Sequence, residues 1–576
     1  MSRCIGKYRA YGGVETRAKF LENVGRCGQH APMLRVTGRP LAALAAFART
    51  RPGSFVVQRS FRAQLGIDRL LALPDTARDR WPIDNRPWPA RAPRTRAASA
   101  GGAPDGWAPT SDAIVRAYRE GRTTPREIAL RVLRGAEELA RAGCPVFYET
   151  REEDVLADAD ASTLRWARGE QRGDLDGVPF AVKEQIAVRG LSRRCGTRFL
   201  PATPMTTDAT IVARLKDAGA IATGITTMTE FGMTPSGASP LRNMPRNPHD
   251  RDRLCGGSSS GSGVAVATGL VPLALGADGG GSIRIPAAIN GCFGIKPTWG
   301  RLSREGDPSG GTVAHVGPLA SSTWDLARML EICGASDPKD AETREAPPVG
   351  NLLAMLSSGV RGLVIGVPRS EWADAPPDIA RVCEEALAAL VKEGAILRDV
   401  TLPFVRYAPA IGYITIALEA RTGLREAWRD HVDEMSHDLQ VSFASLDAFS
   451  ALDYGDAQRL RAGLRRDLRD VFQEVDALAL PTTQTTAPKV SELERQCGFL
   501  DPAVLDALCR FTFLGNLTGH PGVSIPAGVD GQGLPVGLQI MADAWDEGTA
   551  LVVSATLEKA GLARVRKPAI ASSILE

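Results

Sequence analysis

GADGGGSIRIPAAINGCFGIKPT, residues 276–298, sets three glycines directly before Ser282 and an arginine two residues after it. Glycine in a loop costs conformational entropy, so such a run marks a tight turn or a place that needs close backbone approach. Just upstream lies CGGSSSGSGVAVATGL, residues 255–270. Its small residues from Ser259 to Gly269 predict a helix roughly 15 Å long. The VPLAL run, residues 271–275, predicts a buried strand roughly 17 Å long. A helix out and a strand back of nearly equal length carry Ser258, at the helix start, close to Ser282, a few residues past the strand.

A third element joins this pair. GVPFAVKEQI, residues 177–186, predicts an apolar strand ending in Lys183. A lysine there is ordinarily an edge charge. Buried, it loses affinity for its proton, because desolvation disfavours the ammonium form. A neutral lysine can take a proton from a hydroxyl, the Ser–Lys variant of the nucleophile–base scheme. Each piece also has a plain reading. Ser282 before Ile-Arg-Ile is a normal helix N-cap. The GGSSSGSG run is a flexible linker, or a phosphate cradle that lacks the G-K-[ST] of a P-loop. His315, in GGTVAHVGP, has no G-x-S-x-G elbow with it and reads as structural, or at most pocket-lining.

Outward from the core stretch, strand-like and helix-like segments alternate. Ser111-Asp112 caps a helix through Ile114, Val115 and Tyr118 that ends at Gly121. Thr123 or Thr124, followed by Pro125, starts a second helix. Gly177–Val182 reads as a strand, Asp208–Ala218 as a helix, and Ala220–Thr223 as the next strand. The alternation predicts an α/β chain around a mixed sheet. Residues 1–105 read differently. They hold an Ala/Leu-rich helical segment within Arg39–Arg51, then a Pro/Arg-rich linker over residues 81–104. The division is thus an N-terminal extension, 1–105, and a catalytic domain, 106–576.

Composition narrows the function. The 576 residues, 44% of them hydrophobic, can bury a large core. A net charge of +3 gives no reason to expect nucleic acid or an anionic membrane as partner. Six histidines with no paired-ligand spacing, and no CxxC, argue against a metal site. Ten cysteines, scattered singly, read as reduced thiols of a cytoplasmic protein. No run reaches the length of a membrane span, and the N-terminus lacks the apolar core of a secretory signal.

Residues 255–298 closely resemble the amidase signature family. G-G-S-S, a small-residue helix and D-x-G-G-S-I-R-x-P-A follow in the family's order, with Ser258 and Ser282 at the matching spacing. DGVPFAVKEQIAVRG is similar to its lysine segment, and GAIATGITTMTEFG (219–232) to its next block. ALALPTTQTTAP (477–488) and GNLTGHPGVSIPAG…GLPVGLQIMA (515–542) resemble its closing blocks. The likeness spans roughly residues 110–565. It implies the amidase-signature fold, a large mixed β-sheet covered by helices on both faces, here with an added N-terminal segment.

The resemblance further implies a Lys183–Ser258–Ser282 triad, with a cis peptide at Gly257–Ser258. Ser282 would be the nucleophile, and Ser258 would relay its proton to Lys183. The amides around Gly279, Gly280, Gly281 and Ser282 would form the oxyanion hole. Ser259, Asp278 and Arg284 match supporting positions. The implied reaction is hydrolysis of a carboxylic amide C–N bond through an acyl-enzyme, with no cofactor or metal. Met228 and Tyr413 stand for the substrate pocket. Tyr413 belongs to a segment, with Tyr407, Ile411, Ile414, Ile416 and Leu418, that points to an apolar or aromatic acyl group of small or medium size, though core packing explains those residues equally well. The alternatives are the glutaminase subunit of an amidotransferase, or a hydrolase of carbamates or cyclic amides. The partner is a small-molecule amide, with a homodimer left open. Three positions depart from the family: Glu184 stands for its Asp, Gly224-Ile225-Thr226-Thr227 for its G-K-T-N, and Gly279 for an apolar residue or Thr.

Overall fold

The serine-rich stretch folds as a helix, Ser260–Ala267, buried along its whole length. Its small residues are what permit this. A Cβ on Gly261 would lie 2.5 Å from the Val146 carbonyl oxygen, and one on Gly263 would lie 2.9 Å from Pro286 Cβ. Gly269, at φ +73°, ends the helix and turns the chain. The return strand is Leu273–Asp278 rather than 271–275. Pro272 lies before it and has no N–H for a ladder. The strand therefore starts later and runs up to the glycine loop itself.

A computed structural model of the protein describes residues 35–73, 83, 88–89, 102–446 and 449–575. Eleven strands form its main sheet. The strands on one side are β2 (Phe147–Glu149), β3 (Pro179–Lys183), β4 (Ile221–Thr226), β5 (Leu273–Asp278), β6 (Phe293–Lys296) and β7 (His315–Ala320). Those on the other are β8 (Val364–Val367), β9 (Ile396–Asp399), β10 (Ala477–Pro481), β12 (Gly522–Val529) and β13 (Pro535–Ala542). Their spatial order is β2-β4-β3-β5-β7-β6-β12-β13-β10-β8-β9. Strand β3 runs parallel to both β4 and β5, whereas β7 is antiparallel to β5, so the sheet is mixed. Helices cover it, as the α/β reading requires. Strand β3 begins at Pro179 and, as the GVPFAVKEQI run predicts, has Lys183 as its last residue.

Capping chemistry sets the nearby helices. Thr124 and Glu127 form a reciprocal capping box at Pro125–Arg141. At the helix Ser111–Arg119 the cap is Thr110, one residue earlier than expected, accepting from the Ala113 amide at 3.1 Å. The Ser111 hydroxyl is instead bonded to the buried Asp325 carboxylate.

In the N-terminal region, strand β1 (Val36–Thr37) pairs with β11 (Phe499–Leu500). The Ala/Leu-rich segment is a helix, Gly38–Ala48. A second helix, Arg51–Gln64, was not expected. Thr50 caps it, accepting from the Gly53 amide, and a proline sits in its first turn. Most of the Pro/Arg-rich linker lies outside the described residues. Within it, Trp88 Nε1 donates to the Thr518 carbonyl at 2.8 Å and its ring lies 4.8 Å from that of His520.

Candidate active site

Parallel pairing of β3 and β5 sets Val182 opposite Leu275. Lys183, the last residue of β3, thereby lies level with Gly276, and β5 runs two residues further to Asp278. Lys183 Nζ lies 2.8 Å from Ser258 Oγ and 3.4 Å from the Ala277 carbonyl oxygen. The side chain is buried. Burial lowers its pKa to about 8, against the opposing pull of the Asp307 and Asp278 carboxylates. When neutral, the amine presents a lone pair that can accept the Ser258 hydroxyl proton.

Ser258 follows a cis peptide bond from Gly257. Gly232 lies against it, since a Cβ there would stand 3.1 Å from Ser258 Oγ. Ser259 links this turn to the end of β5. Its hydroxyl donates to the Ala277 carbonyl at 3.2 Å and accepts from the Ala277 amide at 3.3 Å, while its own amide donates to the Ser282 carbonyl at 3.3 Å. Ser258 and Ser282 thus stand on neighbouring, cross-linked loops. Between Arg253 and Thr298 only Gly279 and Ser282 are not fully buried. The hydroxyl that the sequence singles out is among the few groups of this segment that a solute can reach.

Asp278 organises the glycine loop. Its carboxylate accepts the Gly281 amide at 2.7 Å, the Ile283 amide at 3.2 Å and two guanidinium bonds from Arg284 at 3.0 Å each. Burial pushes its carboxyl pKa up, but the Arg284 guanidinium and the Asn516 side-chain amide outweigh that and hold it well below the usual range. The Arg284 guanidinium is completed by the Thr512 carbonyl, Gln539 Oε1 and Asn516 Oδ1. Arg284 therefore acts on the Ser282 loop through Asp278 and Thr512. Thr512 Oγ1 donates to the Gly280 carbonyl at 2.6 Å, pinning the loop from its other side.

This geometry alters the expected oxyanion cradle in one respect. The Gly281 N–H is spent on Asp278. No acceptor among the described residues takes the Gly279, Gly280 or Ser282 amide. Gly281 is required for its conformation, with φ +128° and Thr512 Oγ1 2.5 Å from where a Cβ would sit. Ser282 is not a helix N-cap, because the helix is Arg284–Asn290 and Ile283 holds the cap position.

Ser282 and Gly280 open onto a cleft of about 650 Å³, walled by Gly232, Met233, Tyr413, Ile416 and Phe513 among others. Tyr413 is at the site as expected. Met228 is not. It is fully buried in the core, and the methionine that lines the cleft is Met233. In the segment thought to shape the acyl pocket, the helix Ala408–Gly423 splits its apolar residues. Ile411 and Ile414 are buried in the core, while Tyr413 and Ile416 face the cleft. The third glycine is explained here, since a Cβ on Gly279 would lie 2.8 Å from Ile416 Cδ1.

Sequence reading missed Thr512, Phe513 and Asn516, although the adjoining GNLTG run offered a signal. It also missed Arg242, which pairs with the buried Glu184 at 2.9 Å, and Asp307, which accepts from Gln185 Nε2 at 2.9 Å. His315 is buried on β7, with Nδ1 2.8 Å from the Val313 carbonyl oxygen. Burial, and secondarily the nearby Lys296, push its pKa well below the ordinary imidazole value. Among the described residues no group of three or more His, Cys, Asp or Glu side chains could hold a metal ion.

Comparison with known proteins finds relatives over most of the chain. A family model described as Amidase matches residues 135–551. A fatty acid amide hydrolase of Arabidopsis thaliana is 36% identical over 472 residues, covering 80% of this chain and 77% of that protein. A glutamyl-tRNA(Gln) amidotransferase subunit of Anaeromyxobacter sp. (strain K) is 37% identical over 441 residues, covering 72% of this chain and 88% of that one. Among solved structures, an inhibitor-bound vestigial protein complex related to the origins of an s-triazine catabolic enzyme superposes with a TM-score of 0.73 at 32% identity. That match covers 79% of this chain and 100% of the other.

Proposed function

The chain belongs to the amidase family and hydrolyses amide C–N bonds, and from that premise we propose that Lys183, Ser258 and Ser282 carry the reaction on an amide with an apolar acyl group. The observation that carries this reading is the buried Lys183–Ser258 pair, 2.8 Å apart, beside a reachable Ser282. Neutral Lys183 accepts the Ser258 proton as Ser258 takes that of Ser282, and Ser282 Oγ attacks the carbonyl carbon. The amides of Gly279, Gly280 and Ser282 meet the developing oxyanion. Each such donor is typically worth about 10²–10³ in rate. Lys183 returns its proton through Ser258 to the leaving nitrogen, the C–N bond breaks, and an acyl ester on Ser282 remains. Water, deprotonated by the same relay, attacks that ester and releases the carboxylate. The free buried thiols fit a reducing compartment such as the cytoplasm.

The acyl preference rests on Tyr413, Ile416 and Phe513 around the cleft. The competing reading, a glutaminase subunit, draws on the likeness to the amidotransferase protein. A panel of primary amides, anilides and glutamine, assayed on the purified chain beside Ser282→Ala and Lys183→Ala, separates them. Turnover of apolar amides that both substitutions abolish is expected. Full activity of Ser282→Ala overturns the mechanism, and preference for glutamine overturns the acyl assignment.

A further inference from the structure

The wall of the cleft facing Tyr413 comes from outside the family match. Leu65, which follows the Arg51–Gln64 helix, lines the cleft that contains Ser282. Phe61, one helical turn earlier, lines a second cleft of about 660 Å³. The two clefts share Met233, Pro235, Tyr413, Ala417 and Leu505, so they adjoin. Phe61 is buried, and its ring centroid lies 6.5 Å from that of Tyr413. The second cleft is lined mainly by apolar side chains such as Phe443, Leu446 and Leu508, with the Asp438 and Asp501 carboxylates also on its wall.

The segment bearing Leu65 and Phe61 is firmly seated. Leu41, Ala45, Val57 and Phe61 share a buried cluster with Val441 and Ala444 of the helix His437–Leu446. Ser54 Oγ donates to the Ala444 carbonyl at 2.9 Å, and Thr37 Oγ1 donates to the Gly498 carbonyl at 2.7 Å. Strand β1 pairs with β11, whose two residues also line the second cleft. An element held at both ends against the cleft rim acts as fixed wall.

We propose that residues 36–73 form the outer wall of the acyl cleft and make the enzyme selective for amides of long linear acyl chains, which run from Ser282 past Leu65 to Phe61. This rests on the Ser282 acyl-enzyme reading above. The chemistry that fits is a flexible alkyl chain, since most of the side chains lining the two adjoining clefts are apolar. Each methylene buried in such a path favours binding by about three- to fourfold.

The test is kcat/KM on a series of linear N-acyl anilides from acetyl to palmitoyl, with wild type, Phe61→Ala, Leu65→Trp and Phe55→Ser. Phe55 lies on the exposed side of the same helix and serves as the folding-matched control. Wild type should gain with each added methylene until the chain passes Phe61. Leu65→Trp should cut the ratio of palmitoyl to acetyl turnover at least tenfold, Phe61→Ala should lower it too, and Phe55→Ser should follow wild type. A flat wild-type series overturns the proposal while leaving the amidase reading intact. So do Phe61 and Leu65 variants that scale all chain lengths equally, which a merely structural role would give. Absence of turnover on every anilide, acetyl included, instead overturns the amidase assignment on which it rests. The wild-type series decides the question even where a variant fails to fold.

Discussion

If neutral Lys183 is the base, the free enzyme should lose activity as that amine protonates. Its pKa is about 8, lowered from 10.5 chiefly by burial. The neutral fraction is then about 0.1 at pH 7 and about 0.9 at pH 9, so kcat/KM should rise about tenfold across that interval. The sign follows from which form reacts. Activity is low below the pKa, where the ammonium dominates, and levels off above it. The perturbation that identifies the residue is Asp307→Asn. The Asp307 carboxylate is the largest influence raising the Lys183 pKa, so removing its charge should move the acid limb to lower pH. Asn keeps an oxygen in place to accept from Gln185 Nε2, which lies 2.9 Å from the carboxylate. The assay is kcat/KM from pH 5.5 to pH 10 on one neutral anilide, for wild type and variant. A profile flat between pH 7 and 9 refutes the assignment of Lys183 as base. So does a limb in the carboxylate range, or one that Asp307→Asn leaves unmoved.

Three further outcomes follow from the loop around Ser282. Gly281→Ala must place a Cβ 2.5 Å from Thr512 Oγ1 at φ +128°; because this shifts the loop that carries the neighbouring Gly280 and Ser282 amides, steady-state kinetics should show kcat reduced by about 10²-fold or more, the scale of misplacing one oxyanion donor. Gly279→Ala meets only the tip of Ile416, so a modest rise in KM is expected, relieved in the double variant with Ile416→Val. Asp278→Asn leaves the buried Arg284 charge uncompensated and should cost about 3–5 kcal/mol in urea unfolding; an unchanged midpoint would show that Thr512, Gln539 and Asn516 suffice to hold the guanidinium.

What the sequence could disclose divides along a physical line. Lys183, Ser258 and Ser282 were legible because each sits at the end of an element whose length can be counted. A helix out and a strand back close on themselves whatever else the fold does. Asp278 and Arg284 came only from the family resemblance, as matches to supporting positions six residues apart. The direction of the Gly281 amide was not, since it depends on one φ angle near +128° and on a carboxylate whose charge Arg284 stabilises. Nor were the cleft walls. Leu65, Tyr413 and Phe513 meet across hundreds of residues of chain, and an apolar residue on a helix looks the same whether it faces the core or a cleft. Ile414 and Ile416 stand two residues apart on one helix with opposite fates, buried core and cleft wall. Met228 and Met233 differ in the same way. The candidate triad is therefore written locally, in strand ends and glycines, while the cleft walls are written in long-range packing. That division is why the approach of Ser258 to Ser282 could be read from one stretch, whereas the Leu65 wall of the cleft required the N-terminal helices to be placed.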